Sequence, residues 1–183
     1  DYVAFGLQED GLFMGGASVL CHEHGVSDLL LRGPAADFKD KIAPHGTRDE
    51  WVRGMAMLDR PGTDTLRSAT LLATAGIIGN AAGNATCVVS IYSTETTTGK
   101  TLALIAANSL IGTPKELFLS QTDTANAMYK IRGVLNHLPC TIDELTTAED
   151  SNIADMAYIL SQGREKIAMT KERELRKPAK WAG

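Results

Sequence analysis

The chain has 183 residues, of which 44% are hydrophobic and 22% charged, and its formal net charge is −4 at pH 7. These values are ordinary for a globular protein with one domain of good size. No run of residues reaches the roughly 18–20 apolar positions of a membrane span, which excludes a membrane-spanning class. The three scattered cysteines, Cys21, Cys87 and Cys140, do not suggest a disulfide framework. They favour reduced core residues in a cytoplasmic protein.

Residues 1–46 are predicted to form a small β-rich N-terminal part. Short strand-like runs at 2–5, 12–14 and 29–31 are separated by turn residues. The run Cys21-His-Glu-His24 could be imagined as a metal site, but it lacks a second ligand pair at usable spacing. A polar turn is the simpler interpretation.

Residues 47–183 are predicted to form a helical lead-in followed by an α/β core. Thr47 and Glu50 have the spacing of a capping box, which opens a helix. Trp51, Met55 and Leu58 share one face of that helix and are expected in the core. A second helix, from about 64 to 79, is apolar nearly all round and is expected to be buried against the sheet.

The tripeptide Gly99-Lys100-Thr101 lies between a strand-like run, 86–92, and a helix-forming run, 102–111. A strand, a polar loop, Gly-Lys-Thr and a helix make a phosphate-binding loop (P-loop), in which backbone N–H groups face an anion. Lys100 would reach the β- and γ-phosphates of ATP, and the hydroxyl of Thr101 would bind Mg²⁺. The residues expected to hold the phosphates are Thr96, Thr97, Thr98, Gly99, Lys100, Thr101 and Leu102. The full pattern has Gly where this chain has Thr94.

A second strand-like run, 138–145, carries two acids, Asp143 and Glu144. In P-loop proteins that hydrolyse ATP, an acid at a strand's C-terminal end holds the Mg²⁺ shell, and this role is assigned to Asp143. Glu144 would be the general base for the attacking water. The alternative is a solvated acidic pair at the start of a helix.

The segment between the two motifs also alternates between strand and helix. A short strand is predicted at 116–120, and a helix capped by Thr122 or Asp123 is predicted to run to His137. Such alternation is typical of an α/β fold with a parallel sheet, whose ligands bind at the C-terminal ends of the strands. Both motifs lie at such ends.

The C-terminal segment is basic. From Arg164 onward there are seven basic and three acidic residues, although the whole chain is acidic. A basic stretch on an acidic body suggests contact with a polyanion, and Lys166, Lys171, Arg173 and Arg176 are the candidate nucleic-acid residues. The alternative is a solvated charged hairpin or a frayed end.

The pattern resembles a bacterial and phage domain family of unknown function, found in helicase-like proteins and their inactivated derivatives. The matching stretches are 2–5, 45–51, 93–104, 122–127, 142–145 and 157–163. The resemblance implies a P-loop ATPase core of the additional-strand class, tied to DNA replication or mobilisation in a phage or integrated element. It also implies the cytoplasm of a bacterial host.

In such ATPases a further strand carrying a sensor residue follows the acidic strand. No candidate for it is found in the 183 residues, so the chain is expected to be part of a longer replication protein or of an assembly.

The favoured function is a Mg-ATP-dependent motor that acts on single-stranded DNA as a homo-oligomeric ring. Arg164, Arg173 and Arg176 are candidates, by charge alone, for an arginine finger. One alternative is a degenerate module that binds nucleotide without hydrolysis, or not at all, which Thr94 and the missing sensor strand favour. Another is a small-molecule kinase, although no acceptor site or arginine-paired lid is visible.

Overall fold

The computed structural model describes residues 4–7, 13–14, 18–21, 25–28, 33–82, 86–95, 98–120, 123–143, 150–169, 175–176 and 178–181. Within these ranges the chain is mixed α/β, with seven α-helices and three small sheets. None of the helices built from described residues has the length and apolar character needed to cross a bilayer.

Four short strands near the N-terminus form one antiparallel sheet in chain order. They are β1 (Gly6–Leu7), β2 (Phe13–Met14), β3 (Ser18–Cys21) and β4 (Gly25–Asp28). The β-rich character and the strand at 13–14 agree with the sequence pattern. The pairing of β3 with β4 was not anticipated, and the strand predicted at 29–31 lies outside the described residues. The boundary at residue 46 stays a prediction.

Four helices follow: α1 (Pro34–Asp37), α2 (Lys39–Ile42), α3 (Arg48–Ala56) and α4 (Asp64–Ala81). The capping box of α3 is confirmed, since the Thr47 hydroxyl accepts from Glu50 N–H and the Glu50 carboxylate accepts from Thr47 N–H. The core assignment of Trp51 was wrong, since it is 39% exposed and its indole N–H donates to Ser109 Oγ, while Met55 and Leu58 are half-buried.

Helix α4 has nearly its expected bounds, but its expected burial was wrong. One face of α4 packs along α5 (Lys100–Asn108), and this contact buries Ala69 and Thr70. Leu71, Leu72 and Ile78 stay exposed. A helix that is apolar all round fits a fully enclosed position, whereas the described part of the chain leaves these three large apolar side chains of α4 uncovered.

A parallel strand–helix–strand unit follows α5, as the sequence predicts. It consists of β5 (Phe118–Ser120), α6 (Ala125–Leu135) and β6 (Thr141–Asp143), with Ser120 opposite Asp143. The cap of α6 is Thr124, whose hydroxyl accepts from Ala127 N–H, and not Thr122 or Asp123. Asp123 instead closes the preceding turn, because its carboxylate accepts from Ser120 N–H.

The strand expected at 86–92 is not formed. The described residues there have no ladder hydrogen bonds, and Val88, Val89 and Tyr92 are exposed. Cys87 is also exposed, so its expected place in the core was wrong. A strand owes its stability to cross-strand pairs, and in the described chain no strand lies alongside this β-prone run.

The main core lies between the start of the chain, α1–α2 and the α5–β6 region. Its buried members are Phe5, Ala35, Ile42, Ile111, Leu117, Val134, Leu135 and Leu138. The chain start is held there by backbone bonds as well, because Phe5 N–H donates to Val134 O at 2.7 Å.

The C-terminal part begins with α7 (Asp150–Ser161) and continues into an antiparallel hairpin with strands β7 (Ala168–Met169) and β8 (Leu175–Arg176). Trp181 anchors the end of this hairpin. It is 4% exposed, stacks on Tyr129 of α6 with ring centroids 6.1 Å apart, and donates to Leu160 O. The described part of the C-terminal segment therefore contains a β-hairpin, and the choice between a solvated hairpin and a polyanion contact stays a prediction.

Candidate phosphate-binding site

The turn into α5 has the backbone that a phosphate-binding loop needs at one position. Gly99 caps the helix in the left-handed region, with φ 83°. Residues with a Cβ rarely adopt this conformation, which explains why glycine occupies this position of Gly-Lys-Thr. Helix α5 runs over Lys100–Asn108, so it starts two residues before the predicted run 102–111 and ends three residues before its end.

The first turn of α5 presents unpaired amide groups. The first intrahelical bond runs from Ala103 N–H to Gly99 O, which leaves the N–H groups of Lys100, Thr101 and Leu102 without helical partners. These residues, with Thr98 and Gly99, line an open depression of about 300 Å³. The depression is at the low end of ligand-site volumes, so it has room for a phosphate chain and not for a whole nucleotide.

The side chain of Lys100 lies across the same loop. Its ammonium donates to the backbone carbonyl of Glu95 at 3.3 Å. To reach a bound phosphate, the ammonium would exchange this neutral carbonyl for a charged oxygen, which makes a stronger hydrogen bond. Thr94 and Glu95 are exposed, while Thr96 and Thr97 lie outside the described residues.

The opposite end of α5 is fixed by a buried polar pair. Asn108, which is fully buried, donates to Thr141 Oγ1 at 2.8 Å and to Pro114 O at 3.0 Å, while the Thr141 hydroxyl is 3.0 Å from Asn108 Oδ1. These bonds attach the C-terminal end of α5 to the start of β6. The sequence prediction did not include Asn108. The signal that could have identified it is the amide side chain within the largely apolar run 102–111.

Asp143 is the last residue of β6, as predicted, and it is half-buried. Carboxylate and hydroxyl oxygens suit Mg²⁺, which takes few protein ligands and keeps several waters. Asp143 and Thr101 therefore have the right chemistry for the proposed metal, although no group of three or more acidic, His or Cys side chains clusters among the described residues. Glu144, the proposed base, lies outside them.

The groups with clearly shifted pKa values include three at the junction of α6 and β6. Arg132 is buried and donates to the carbonyls of Asn136 and Leu138, which complete the end of α6; desolvation lowers its pKa. Desolvation, and then the nearby Arg132 charge, lower the pKa of His137, whose buried Nδ1 has no hydrogen-bond partner among the described atoms. Burial raises the pKa of Cys140, and Arg132 opposes that shift. This junction connects the C-terminal end of α6 to the start of β6.

The predicted nucleic-acid residues lie in the C-terminal hairpin, away from the turn into α5 in sequence. Lys166 is exposed, Arg176 lies in β8, and Lys171 and Arg173 are outside the described residues. Arg164, a candidate arginine finger, is exposed and pairs with Lys180 in the hairpin.

Residues 6–180 match the family model described as a domain of unknown function, DUF927. The chain matches no curated protein and no solved structure. Because the family match covers nearly the whole sequence, the chain belongs to the DUF927 family of domains of unknown function.

Proposed function

We propose that this chain is a Mg-ATP-binding P-loop ATPase, with the turn Gly99-Lys100-Thr101 as its phosphate-binding loop. The observation that carries the proposal is the left-handed Gly99 at the start of α5, a helix whose first three residues lack intrahelical N–H partners and line an open depression. Amide groups at a helix N-terminus attract anions through their hydrogen bonds and the helix dipole.

The placement of α5 supports a shared site with Asp143. The Asn108–Thr141 bonds hold the C-terminal end of α5 at the beginning of β6. A helix that covers a parallel sheet runs opposite to the strands, so its N-terminus points toward their C-terminal ends. In such packing Thr101 and Asp143 would face one ligand from neighbouring elements.

Mg²⁺ in this site would supply charge neutralisation for the phosphates. Thr101 and Asp143 would hold it, Lys100 would neutralise the terminal phosphates, and Glu144 would take a proton from the attacking water. An arginine finger from a neighbouring copy, drawn from the basic hairpin, would complete the charge balance in a ring.

A complete P-loop core makes one structural demand on this chain. Within the described residues, β6 pairs with β5 alone, and the β-prone run 86–92 has no partner. The proposal requires residues 86–92 to add to the open edge of β6 in parallel. This would place the loop before Gly99 directly at the carboxyl end of the sheet and would cover Val88 and Val89.

The biological role that we propose is a helicase-like motor in the replication of a phage or mobile element, acting on single-stranded DNA within a longer protein or a ring. The charge of the C-terminal segment supports the DNA part, since its seven basic residues outnumber three acids on an acidic chain.

A non-hydrolysing nucleotide-binding module is the second candidate. Thr94 favours it, because a side chain at this position replaces the first glycine of the phosphate-binding pattern. Mg-dependent binding of ATP without phosphate release, with and without DNA, would support the module over the motor.

The test of the proposed function is phosphate release by the purified protein, with and without single-stranded DNA. Lys100→Ala should abolish turnover, and Lys115→Ala, which changes an exposed lysine outside the site, should leave it unchanged. Turnover that survives Lys100→Ala would refute the assignment of the site.

A further inference from the structure

The C-terminal hairpin keeps one register from its base to its tip. At the base, Trp181 N–H donates to Gly163 O, Glu165 N–H donates to Ala179 O, and Arg164 bridges to Lys180. At the tip, Ala168 pairs with Arg176 and Met169 with Leu175. Two residues on each strand separate these two sets of pairs, so the alternation of faces continues from base to tip.

One face of this ribbon is basic. Counting by register, it carries Arg164 and Lys180 at the base and Lys166 in the middle, with Pro178 opposite Lys166. Arg164, Lys166 and Lys180 are exposed. Among the described residues of this face none is acidic, and Glu165 belongs to the other face.

The other face is packed at its base and open at its tip. At the base, Trp181 and Glu165 are each 4% exposed, and Ala179 lies so close to α6 that a Cβ on Gly133 would be 3.1 Å from the Ala179 Cβ. At the tip, on the same face, Ile167, Met169 and Leu175 are 65%, 64% and 74% exposed. The hairpin therefore carries three exposed apolar side chains near its tip.

We propose that this hairpin is a grip for single-stranded nucleic acid, in which the basic face binds phosphates and the apolar tip contacts unstacked bases. The inference rests on the proposed function and deepens its DNA contact by assigning which residues meet the phosphates and which meet the bases. An unpaired strand offers both chemistries, charged phosphates and apolar base faces, along a flexible chain that can pass around a ribbon. In a duplex the base faces are stacked inside and cannot meet the three apolar side chains.

Two other occupants fit the surface less well. A second copy of the chain would bring two hairpins of the same positive charge together, and like charges at a contact oppose association. A membrane is planar and meets one face of a ribbon at a time, whereas the described charged residues Arg164, Lys166 and Lys180 lie on the face opposite Ile167, Met169 and Leu175. The experiment below includes a result that would identify each of these two occupants instead of nucleic acid.

The experiment measures binding of a fluorescent oligothymidine to the full chain across a range of salt concentrations. Lys166→Gln with Lys180→Gln should weaken binding about tenfold and reduce the salt slope by about 0.7 per lost phosphate contact. Met169→Ser with Leu175→Ser should weaken binding several-fold and leave the salt slope unchanged. The matched controls are Lys39→Gln with Lys115→Gln, and Leu71→Ser with Ile78→Ser, which change exposed residues on other elements.

Duplex of the same length supplies the second comparison. Contact with bases would be supported if the protein binds duplex more weakly than the single strand, and if Met169→Ser with Leu175→Ser does not change the affinity for duplex. Equal affinity for both forms would overturn the assignment to single strands. Binding to anionic vesicles but not to the oligonucleotide, or loss of a dimer in the serine variant, would replace nucleic acid with a membrane or a second copy.

Lys100→Ala separates this inference from the ATPase proposal. Its DNA binding without nucleotide should equal that of the unchanged protein, because the hairpin and the turn at Gly99 are different elements. Loss of DNA binding in the lysine and serine hairpin variants, with a normal Trp181 environment by fluorescence, would support the grip whatever the outcome at the phosphate site.

Discussion

The two ends of α5 differ in how they are held. At the C-terminal end, Asn108 is fully buried and bonded to Thr141 and Pro114. At the N-terminal end, Thr101 and Leu102 are exposed, and the first three residues of the helix line an open depression. The same nine residues therefore have one end fixed to the sheet and one end available to a ligand.

This difference suggests a division of roles along a single helix. A fixed base keeps the direction of the helix constant, so the amide groups at its other end stay aimed at one place without a ligand to hold them. Substitutions at the fixed end should lower stability, and substitutions at the open end should lower nucleotide binding and turnover. The predictions below test this separation, beginning with the largest effect.

Thr101→Ala should lower Mg-dependent ATP turnover at least about 100-fold, because the substitution removes a metal ligand from the reacting phosphates. The free energy of unfolding should change by less than about 0.5 kcal/mol, since the side chain is exposed. Phosphate release and denaturant titration measure the two effects. Thr65→Ala is the matched control, because Thr65 is also exposed and is also the second residue of a helix. Normal turnover in the Thr101 variant would remove Thr101 from the site.

Asn108→Leu should lower the free energy of unfolding by about 2–4 kcal/mol, because it leaves the buried Thr141 hydroxyl and the Pro114 carbonyl without their partner. Denaturant titration measures this change. Asn126→Leu, at an exposed position on α6, should change stability far less. Equal effects of the two substitutions would show that the C-terminal end of α5 is not fixed as described.

Stability should fall as the pH drops below about 6.5, with His137 as one cause. Desolvation and Arg132 lower the pKa of this histidine from its ordinary value of 6.5, so the unfolded chain takes up the proton first. The contribution of His137 is complete above pH 6.5, decreases as the pH falls toward the lower pKa of the folded state, and levels off below that value. Thermal unfolding between pH 7.5 and 5 should show a shallower slope for His137→Leu than for His45→Gln, a change at an exposed histidine. Equal slopes for the two variants would contradict the assignment of this pH dependence to His137.

Glu50→Ala should have the smallest effect, a loss of about 1 kcal/mol or less, because it removes one half of the capping box of α3. Glu116→Ala, at an exposed acid outside α3, gives the comparison in thermal unfolding. A loss of stability larger than that caused by Asn108→Leu would contradict the expectation that buried hydrogen bonds contribute more to stability than exposed ones.

Local patterns in the sequence predicted much of the region around the site. The presence of a helix after Gly-Lys-Thr, the parallel pair β5–β6 and the position of Asp143 each follow from local patterns in the sequence. The contacts that fix these elements join distant residues, as in the Asn108–Thr141 bond across 33 positions and the Trp181–Tyr129 stack. No periodicity within one segment encodes such partners.

The failures have a common physical cause. Trp51, Leu71 and Val88 are apolar residues in regular patterns, and the sequence predicts burial for each, but all three are exposed in the structure. An apolar pattern indicates that a side chain is suited to burial. The side chain is buried only where another element of the fold packs against it. The P-loop core proposed here would enclose Val88 by pairing 86–92 with β6.

The most direct test of the central claim is hydrogen exchange of individual amides with and without Mg-ATP. A triphosphate bound at the turn into α5 should slow exchange at Lys100, Thr101 and Leu102, while the amides around Asn108, already protected by the fixed end, should not change. Unchanged exchange at those three amides under saturating Mg-ATP would contradict the account.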